Sequence, residues 1–232
     1  MSNDIFDKKP EFEIYYDLQN SLREKVIIYD QLPEVIQYIA GVDVAYNDIN
    51  DNMIGAIVVL NAETHEVVEK AFHEMEIAFP YVPGLFSFRE IPSLIEAFKK
   101  LTIKPDLIVC DAQGIAHPKG IGMATHLGIE LNIPTIGCAK KRLIGSYDKN
   151  LLGHERKSTQ DLIYNNILVG KALRTQNNTN PMFVSIGHKI SLETAIAWVL
   201  KLTPHYRLPE TTRQADYLVN FLLKNKNAFL SE

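Results

Sequence analysis

The sequence predicts an α/β protein on one mixed sheet: three antiparallel strands first, then parallel strands with helices between and around them. Three observations support this. The region from 35 to 77 holds three β-rich runs separated by short polar turns. Next, PDLIVCDA at 105–112 is almost continuously apolar and ends in an acid, the pattern of a strand buried on both faces. A helical stretch, GMATHLGIELN, then leads into a second apolar run, PTIGCAK, completing a strand–helix–strand unit.

Each element has its own local reason. VIQYIAGVDVAY (35–46), NMIGAIVVLN (52–61) and EVVEKAFHEMEI (66–77) are rich in β-branched residues, and the NDIND and AETH segments between them are turn-like, so two successive hairpins are expected. A helix is expected over roughly 88–101, where Leu94, Ile95, Phe98 and Leu101 recur at helical spacing. Further strands are expected over 142–147, 164–171 and 181–186. SLETAIAWVLKLT reads as an amphipathic helix with Ser191 as its N-cap, and PETTRQADYLVNFLLKN as another opened by Pro209. The order resembles the ribonuclease H-like architecture.

Bulk properties narrow the class. The chain has 232 residues, 46% of them hydrophobic, enough for one sizeable core or at most two small domains. No internal repeat or linker divides it, so a single domain over 1–232 is expected, with its core at about 30–224. No apolar run approaches the roughly 18 residues of a spanning helix, and the start, MSNDIFDKKPEFE, lacks a signal-peptide core. Cys110 and Cys138 each lie in an apolar run, which favours buried free thiols over a disulfide or metal site. A soluble cytoplasmic protein follows, and a single compact domain suits a monomer. Net charge is −4, so any nucleic-acid surface must be a local patch, such as AKKR at 139–142.

Several acids stand where acids are costly. Asp43 lies in the middle of the first strand, flanked by Val42 and Val44, and a buried carboxylate there must be hydrogen-bonded, paired or bound to a cation. Asp111 ends LIVCD, at the strand end where open α/β sheets place ligands. A turn or cap explains either residue alone. If the two strands are neighbours, however, the carboxylates face one another and require a cation, and oxygen-only ligation points to Mg²⁺ or Mn²⁺. Glu90 could complete the set, although SFRE (87–90) fits a capping box equally well. Asp216 flanks the apolar stripe Ala215, Leu218, Val219 and Leu222; a salt bridge to Arg213 is the simpler expectation and a second metal ligand the sharper one.

Other groups surround that edge. Lys140 directly follows the strand PTIGCA, so it emerges beside Asp111, where an ammonium could steady a phosphate or an attacking water. His117 sits in the loop GIAHPKG, where a structural role is the simpler reading and a catalytic one the alternative. In FPYVPGLFSFRE, Pro80 and Pro83 stiffen the chain around Tyr81 and Val82. A rigid apolar projection of this kind suits a core plug, a protein contact or a wedge between stacked bases.

GVDVAY, PYVPGLFSFRE, CDAQGIAHPKGIGMATHLGIELNIPTIGCAKKRL and the run from PMFVSIGHKISLETAI to LPETTRQAD together closely resemble endonuclease V, a repair nuclease for deaminated bases. The resemblance runs in order from about residue 35 to about 222. It implies that Asp43 and Asp111 are metal-binding aspartates, that Glu90 is the third acid and that Lys140 is the active-site lysine. Asp216 falls where the family places a fourth active-site residue. Tyr81 matches the tyrosine of a Pro-Tyr-x-Pro wedge, Gly84 a residue lining the pocket for the displaced base, and Gly122 a further pocket candidate. The implied reaction is metal-assisted hydrolysis, with Mg²⁺ and with Mn²⁺ able to substitute. It cuts the second phosphodiester bond 3′ to deoxyinosine in double-stranded DNA, leaving 3′-hydroxyl and 5′-phosphate ends.

One departure bears on substrate choice. The family commonly has glycine after the second aspartate, and this chain has Ala112, whose methyl could narrow the pocket or oppose a positive φ. The alternatives are an inosine-specific ribonuclease, a nuclease for branched DNA with the same metal site, and a non-catalytic lesion-binding module. Intact acids at 43, 90 and 111 argue against the last.

Overall fold

The computed structural model describes residues 10–47 and 51–229. After a short 3-10 turn at Pro10–Phe12, the chain forms α1 (Glu13–Arg23), β1 (Tyr38–Asn47), β2 (Asn52–Asn61) and β3 (Val67–Glu76). There follow α2 (Phe86–Lys99), β4 (Leu107–Cys110), α3 (Met123–Leu131) and β5 (Thr135–Ala139). The last third holds β6 (Thr159–Tyr164), β7 (Ile167–Leu173), β8 (Met182–His188), α4 (Leu192–Lys201) and α5 (Glu210–Phe229).

Among the described residues the strands form one eight-stranded sheet in the order β3-β2-β1-β4-β5-β8-β7-β6. β1, β2 and β3 pair antiparallel, as the β-branched runs predict; residues 48–50 of the NDIND turn lie outside the described residues. β4 then pairs parallel with both β1 and β5, with α3 as the crossover. β8 returns antiparallel to β5, so the parallel portion is confined to the centre.

Side-chain alternation in β1 divides the core into two layers. Ala40 and Val42 point to one face, where they meet Ile91 and Leu94 of α2 and Leu127 of α3. Ile39 points to the other, packing with Ala195 and Val199 of α4 and Ala215 of α5. Both cysteines are buried and free, as expected. No helix among the described residues is long and apolar enough to cross a membrane.

Three expectations are corrected. Residues 142–147 form no strand; only Ser146 makes an isolated bridge, to Ile163. The run expected at 164–171 is instead a hairpin, β6 and β7, turning at Asn165 and Asn166 with φ of 50° and 63°. Asparagine tolerates the left-handed region, so this pair is a turn signal inside what reads as one strand. The core also begins before residue 30, because α1 buries Tyr16, Gln19 and Leu22.

α4 starts as predicted, with the Ser191 side chain accepting from the Thr194 N–H. α5 follows Pro209, whose carbonyl accepts from the Arg213 N–H at 3.0 Å. Its first turn lies against β1 so closely that a Cβ on Gly41 would stand 2.1 Å from the Thr211 carbonyl oxygen. Gly41→Ala is therefore expected to force the helix off the strand and to cost about 1–3 kcal/mol, the range for overpacking. An unchanged urea midpoint would contradict this.

Acid should also remove one contribution to stability, that of His126. Burial pushes the His126 imidazole from 6.5 down to about 4. The folded state thus holds it neutral, whereas the unfolded chain takes up a proton near 6.5. The resulting stability is full above that pH and is lost as pH falls towards 4. His126→Gln should shrink the drop in urea midpoint between neutral and acidic pH; an equal drop in both proteins would contradict the assignment.

Candidate active site

The parallel pairing of β1 and β4 ends at Val42↔Cys110, so Asp43 and Asp111 leave adjacent strands at the same level. Alternation turns Asp43 to the face covered by α5, and α5 supplies Asp216 from that side. Burial raises the Asp43 carboxyl to about 6; the Val44 N–H partly offsets this, and the negative charges of Asp216 and Asp111 add to it. The expected Asp216–Arg213 salt bridge does not form, because Arg213 pairs with Glu210 and lies 3.6 Å over the Tyr206 ring. Asp216 remains exposed at the edge, beside the other two aspartates.

Lys140 follows β5 directly and pairs with Asp111. Burial alone would lower its pKa, but the hydrogen bond and charge of Asp111, with Asp216 and Asp43, turn the net shift upward. The ammonium is thus fixed in its charged form at the head of the acidic edge.

Glu90 approaches from the opposite face of β1. It is 7% exposed, and its Oε1 accepts from the Tyr46 hydroxyl at 2.9 Å. Burial raises its carboxyl to about 8, with the Tyr46 hydrogen bond opposing the rise and the Asp43 charge adding to it. The capping-box expectation for SFRE fails. Leu85 is the N-cap of α2 and no side chain caps it. Ser87 lies inside the helix, and its Oγ is 3.0 Å from His126 Nδ1.

The segment expected to form the wedge is anchored from beneath. Tyr81 is 68% exposed and meets Phe86 edge-on with ring centroids 5.9 Å apart. Pro80 is exposed beside it. Val82, expected on the substrate side, is instead buried with Leu85 and Tyr16 and acts as an anchor. Gly84 has φ +83°, a conformation that favours glycine. Its carbonyl accepts from Gln19 of α1 at 2.8 Å, and Arg89 donates to the Phe79 carbonyl at 2.6 Å. The loop is therefore held at both ends while its tyrosine projects.

Beside the wedge lies a cavity of about 820 Å³. Its walls bring together Tyr81, Pro83, Gly84, Asp111, Ala112, His117, Gly122 and Lys140, eight of the residues singled out from sequence. Asp43, Glu90 and Asp216 stand outside those walls. His117 is 9% exposed; burial, with the Lys119 charge, lowers its imidazole to about 4. Its Nδ1 accepts from the Lys119 N–H at 3.2 Å, so it secures the loop in its neutral form. Gly122 makes a close approach, since a Cβ there would stand 2.3 Å from the Gln113 carbonyl oxygen. Ala112 has no positive φ, which removes the backbone objection to its methyl; that methyl adds apolar surface to the cavity.

Among the described residues no three carboxylate, imidazole or thiol groups converge closely enough to hold a metal as they stand. The chemistry of the edge nonetheless fits a hard divalent cation. Asp43 and Asp111 offer oxygen donors from adjacent strands, Asp216 faces them, and mutual repulsion already raises Asp43. A cation would relieve that repulsion.

Sequence reasoning missed the supporting groups. Tyr46 follows Asp43 by three residues in the same strand, and its partnership with Glu90 shows only once α2 is packed on β1. Arg89, 5.0 Å over the Tyr46 ring, links that pair to the wedge loop. Arg207 donates to the carbonyls of Lys140, Asn180 and Pro181 at 2.7–3.1 Å, tying together segments far apart in sequence.

Comparisons with known proteins show the family. The family model for Endonuclease V matches residues 20–217. The Endonuclease V of Nostoc punctiforme is 47% identical over 203 residues, covering 88% of this chain and 91% of that one. The crystal structure of Endonuclease V from Streptomyces avermitilis superposes with a TM-score of 0.88 at 44% identity, covering 95% and 96% of the two chains. Ciona intestinalis Endonuclease V, solved with a 24mer DNA containing an inosine followed by a ribo-adenosine, gives a TM-score of 0.82 at 27% identity, covering 94% and 99%. The match spans every strand of the sheet and takes in Asp43, Tyr81, Asp111 and Asp216: the chain belongs to the Endonuclease V family.

Proposed function

We propose that this chain is a metal-dependent DNA repair endonuclease that nicks the strand carrying deoxyinosine, at the second phosphodiester bond on its 3′ side. The observation that supports this best is the shared wall between the wedge cavity and the acidic edge. Asp111 and Lys140 belong to both, so a base held in the cavity brings its own strand to the carboxylates. At about 820 Å³ the cavity lies within the range of small-ligand sites.

In this reading Tyr81 enters the stack beside the lesion while Val82 and Leu85 keep its loop rigid. Displacing a weakly paired inosine costs less than displacing a normal base, which adds selectivity. Lys140, held charged by Asp111, meets the phosphate. Asp43 and Asp111 would hold Mg²⁺, or Mn²⁺ in its place, with Glu90 and Asp216 completing its surroundings. Such an ion, when bound, supplies activation of water and stabilisation of the leaving oxygen. Tyr46 and Arg89 keep Glu90 and the wedge loop in fixed relation.

A nicking assay on labelled duplexes with deoxyinosine or adenine, in Mg²⁺ and in EDTA, tests the proposal. Inosine-containing RNA forms a further arm. Cutting is expected on deoxyinosine DNA only with the metal, leaving 3′-hydroxyl and 5′-phosphate ends. Equal cutting of the adenine duplex would overturn the assignment.

Asp43→Ala and Asp111→Ala should each abolish cleavage while leaving the fold intact, with the Asp43→Ala thermal midpoint no lower than the parent's. Full activity in either would remove the edge from the mechanism. Tyr81→Ala should raise the Kd for the deoxyinosine duplex about tenfold, the size of one lost base-stacking contact. An unchanged lesion affinity would rule out the wedge.

A further inference from the structure

A second cavity of about 530 Å³ adjoins the first, sharing Lys140, Lys141 and Arg142 with it. It lies at the same edge of the sheet, further from Asp43. β8 runs antiparallel to β5 with Ala139 opposite Phe183, so the loop entering β8 stands beside Lys140. Its remaining walls come from Tyr147, Asn180, Pro181, Phe183 and Arg207.

Four basic side chains line this groove: Lys140, Lys141, Arg142 and Arg207. No acidic side chain lines it, although the whole chain carries −4. The Lys140 charge is met by Asp111. Among the described residues Lys141, Arg142 and Arg207 form no ion pair with an acid. Two of the three are nonetheless fixed in place. Arg142 donates to the Gly145 carbonyl at 2.8 Å, and Arg207 is held by the three carbonyls of Lys140, Asn180 and Pro181. Lys141 is positioned through its backbone, whose carbonyl accepts from Gln113 of the first cavity at 2.8 Å. The aromatic pair Tyr147 and Phe183, with centroids 5.8 Å apart, provides an apolar wall.

We propose that this groove is a second nucleic-acid subsite: Lys141, Arg142 and Arg207 hold a backbone phosphodiester of the substrate, and the Tyr147–Phe183 wall packs against its sugar. Fixed cations without acidic partners beside an apolar wall form the combination that holds a nucleic-acid backbone independently of sequence. The subsite rests on the endonuclease reading, because continuity with the lesion cavity is what makes the anion a phosphodiester. It gives the enzyme a grip on undamaged strand next to the lesion. Lys140, common to both cavities, stands between that grip and the acidic edge.

Salt dependence of binding tests it, measured on labelled duplexes with and without deoxyinosine, in EDTA so that nothing is cut. Lys141→Ala should make the slope of log K against log salt shallower by about 1, and Lys141→Ala with Arg142→Gln by about 2, one per phosphate contact removed. Lys141→Arg should keep the full slope. Lys99→Ala, on an exposed lysine paired with Glu96, should change nothing. Unchanged slopes in the double variant, with its thermal midpoint intact, would overturn the subsite, as would an equal change in Lys99→Ala. The adenine duplex separates this result from the lesion reading. If the parent protein does not prefer deoxyinosine but the slope still falls in the variants, the groove stands and the lesion assignment falls.

Discussion

The parallel pairing of β1 with β4 is the constraint on which the site depends. It brings two aspartates to one level at one edge of the sheet, where burial, with repulsion from Asp216 and Asp111 added, raises Asp43 to about 6. Carboxylates so placed are costly to the fold unless something positive meets them. Lys140 supplies one charge through Asp111, and a divalent cation would supply the rest. The sheet therefore keeps at its edge a destabilising arrangement that a divalent cation would relieve.

The layers on either side serve that edge differently. On one face α5 approaches β1 so closely that only glycine fits at position 41, and this contact carries Asp216 to the aspartates. On the other face α2 begins at the wedge loop and buries Glu90 against Tyr46. Arg89 spans the Tyr46 ring and the Phe79 carbonyl, so the loop that carries Tyr81 and the buried Glu90 belong to one small network. α1 closes the arrangement from below through Gln19 and Gly84. Shape and charge at the site are thus set by packing between elements distant in sequence.

Much of this was legible beforehand, for physical reasons. The first three strands announce themselves by β-branched runs and short polar turns, and PDLIVCDA by an apolarity that only a doubly covered strand needs. Asp43 and Asp111 could be picked out because an acid inside or at the end of such a run demands an explanation. Tyr81 stood out because two prolines around it make a poor strand and a good projection. What stayed hidden depends on tertiary partners. Glu90 fits a capping box by spacing, and only the packing of α2 on β1 shows that it turns to Tyr46 instead. Val82 reads as part of the projecting loop until α1, with an apolar stripe that is short and interrupted, is found beneath it. The β6–β7 hairpin was masked because two asparagines in the left-handed region reverse a chain without the usual glycine.

The central claim is that the acids at the β1–β4 edge bind a divalent cation. Calorimetric titration of Mg²⁺ or Mn²⁺ into the parent protein and into Asp43→Asn and Asp111→Asn variants tests it most directly. Saturable binding by the parent, lost or strongly weakened in both variants while their folds remain intact, is the result this account expects. Binding of equal strength in all three proteins would contradict it and place the metal elsewhere.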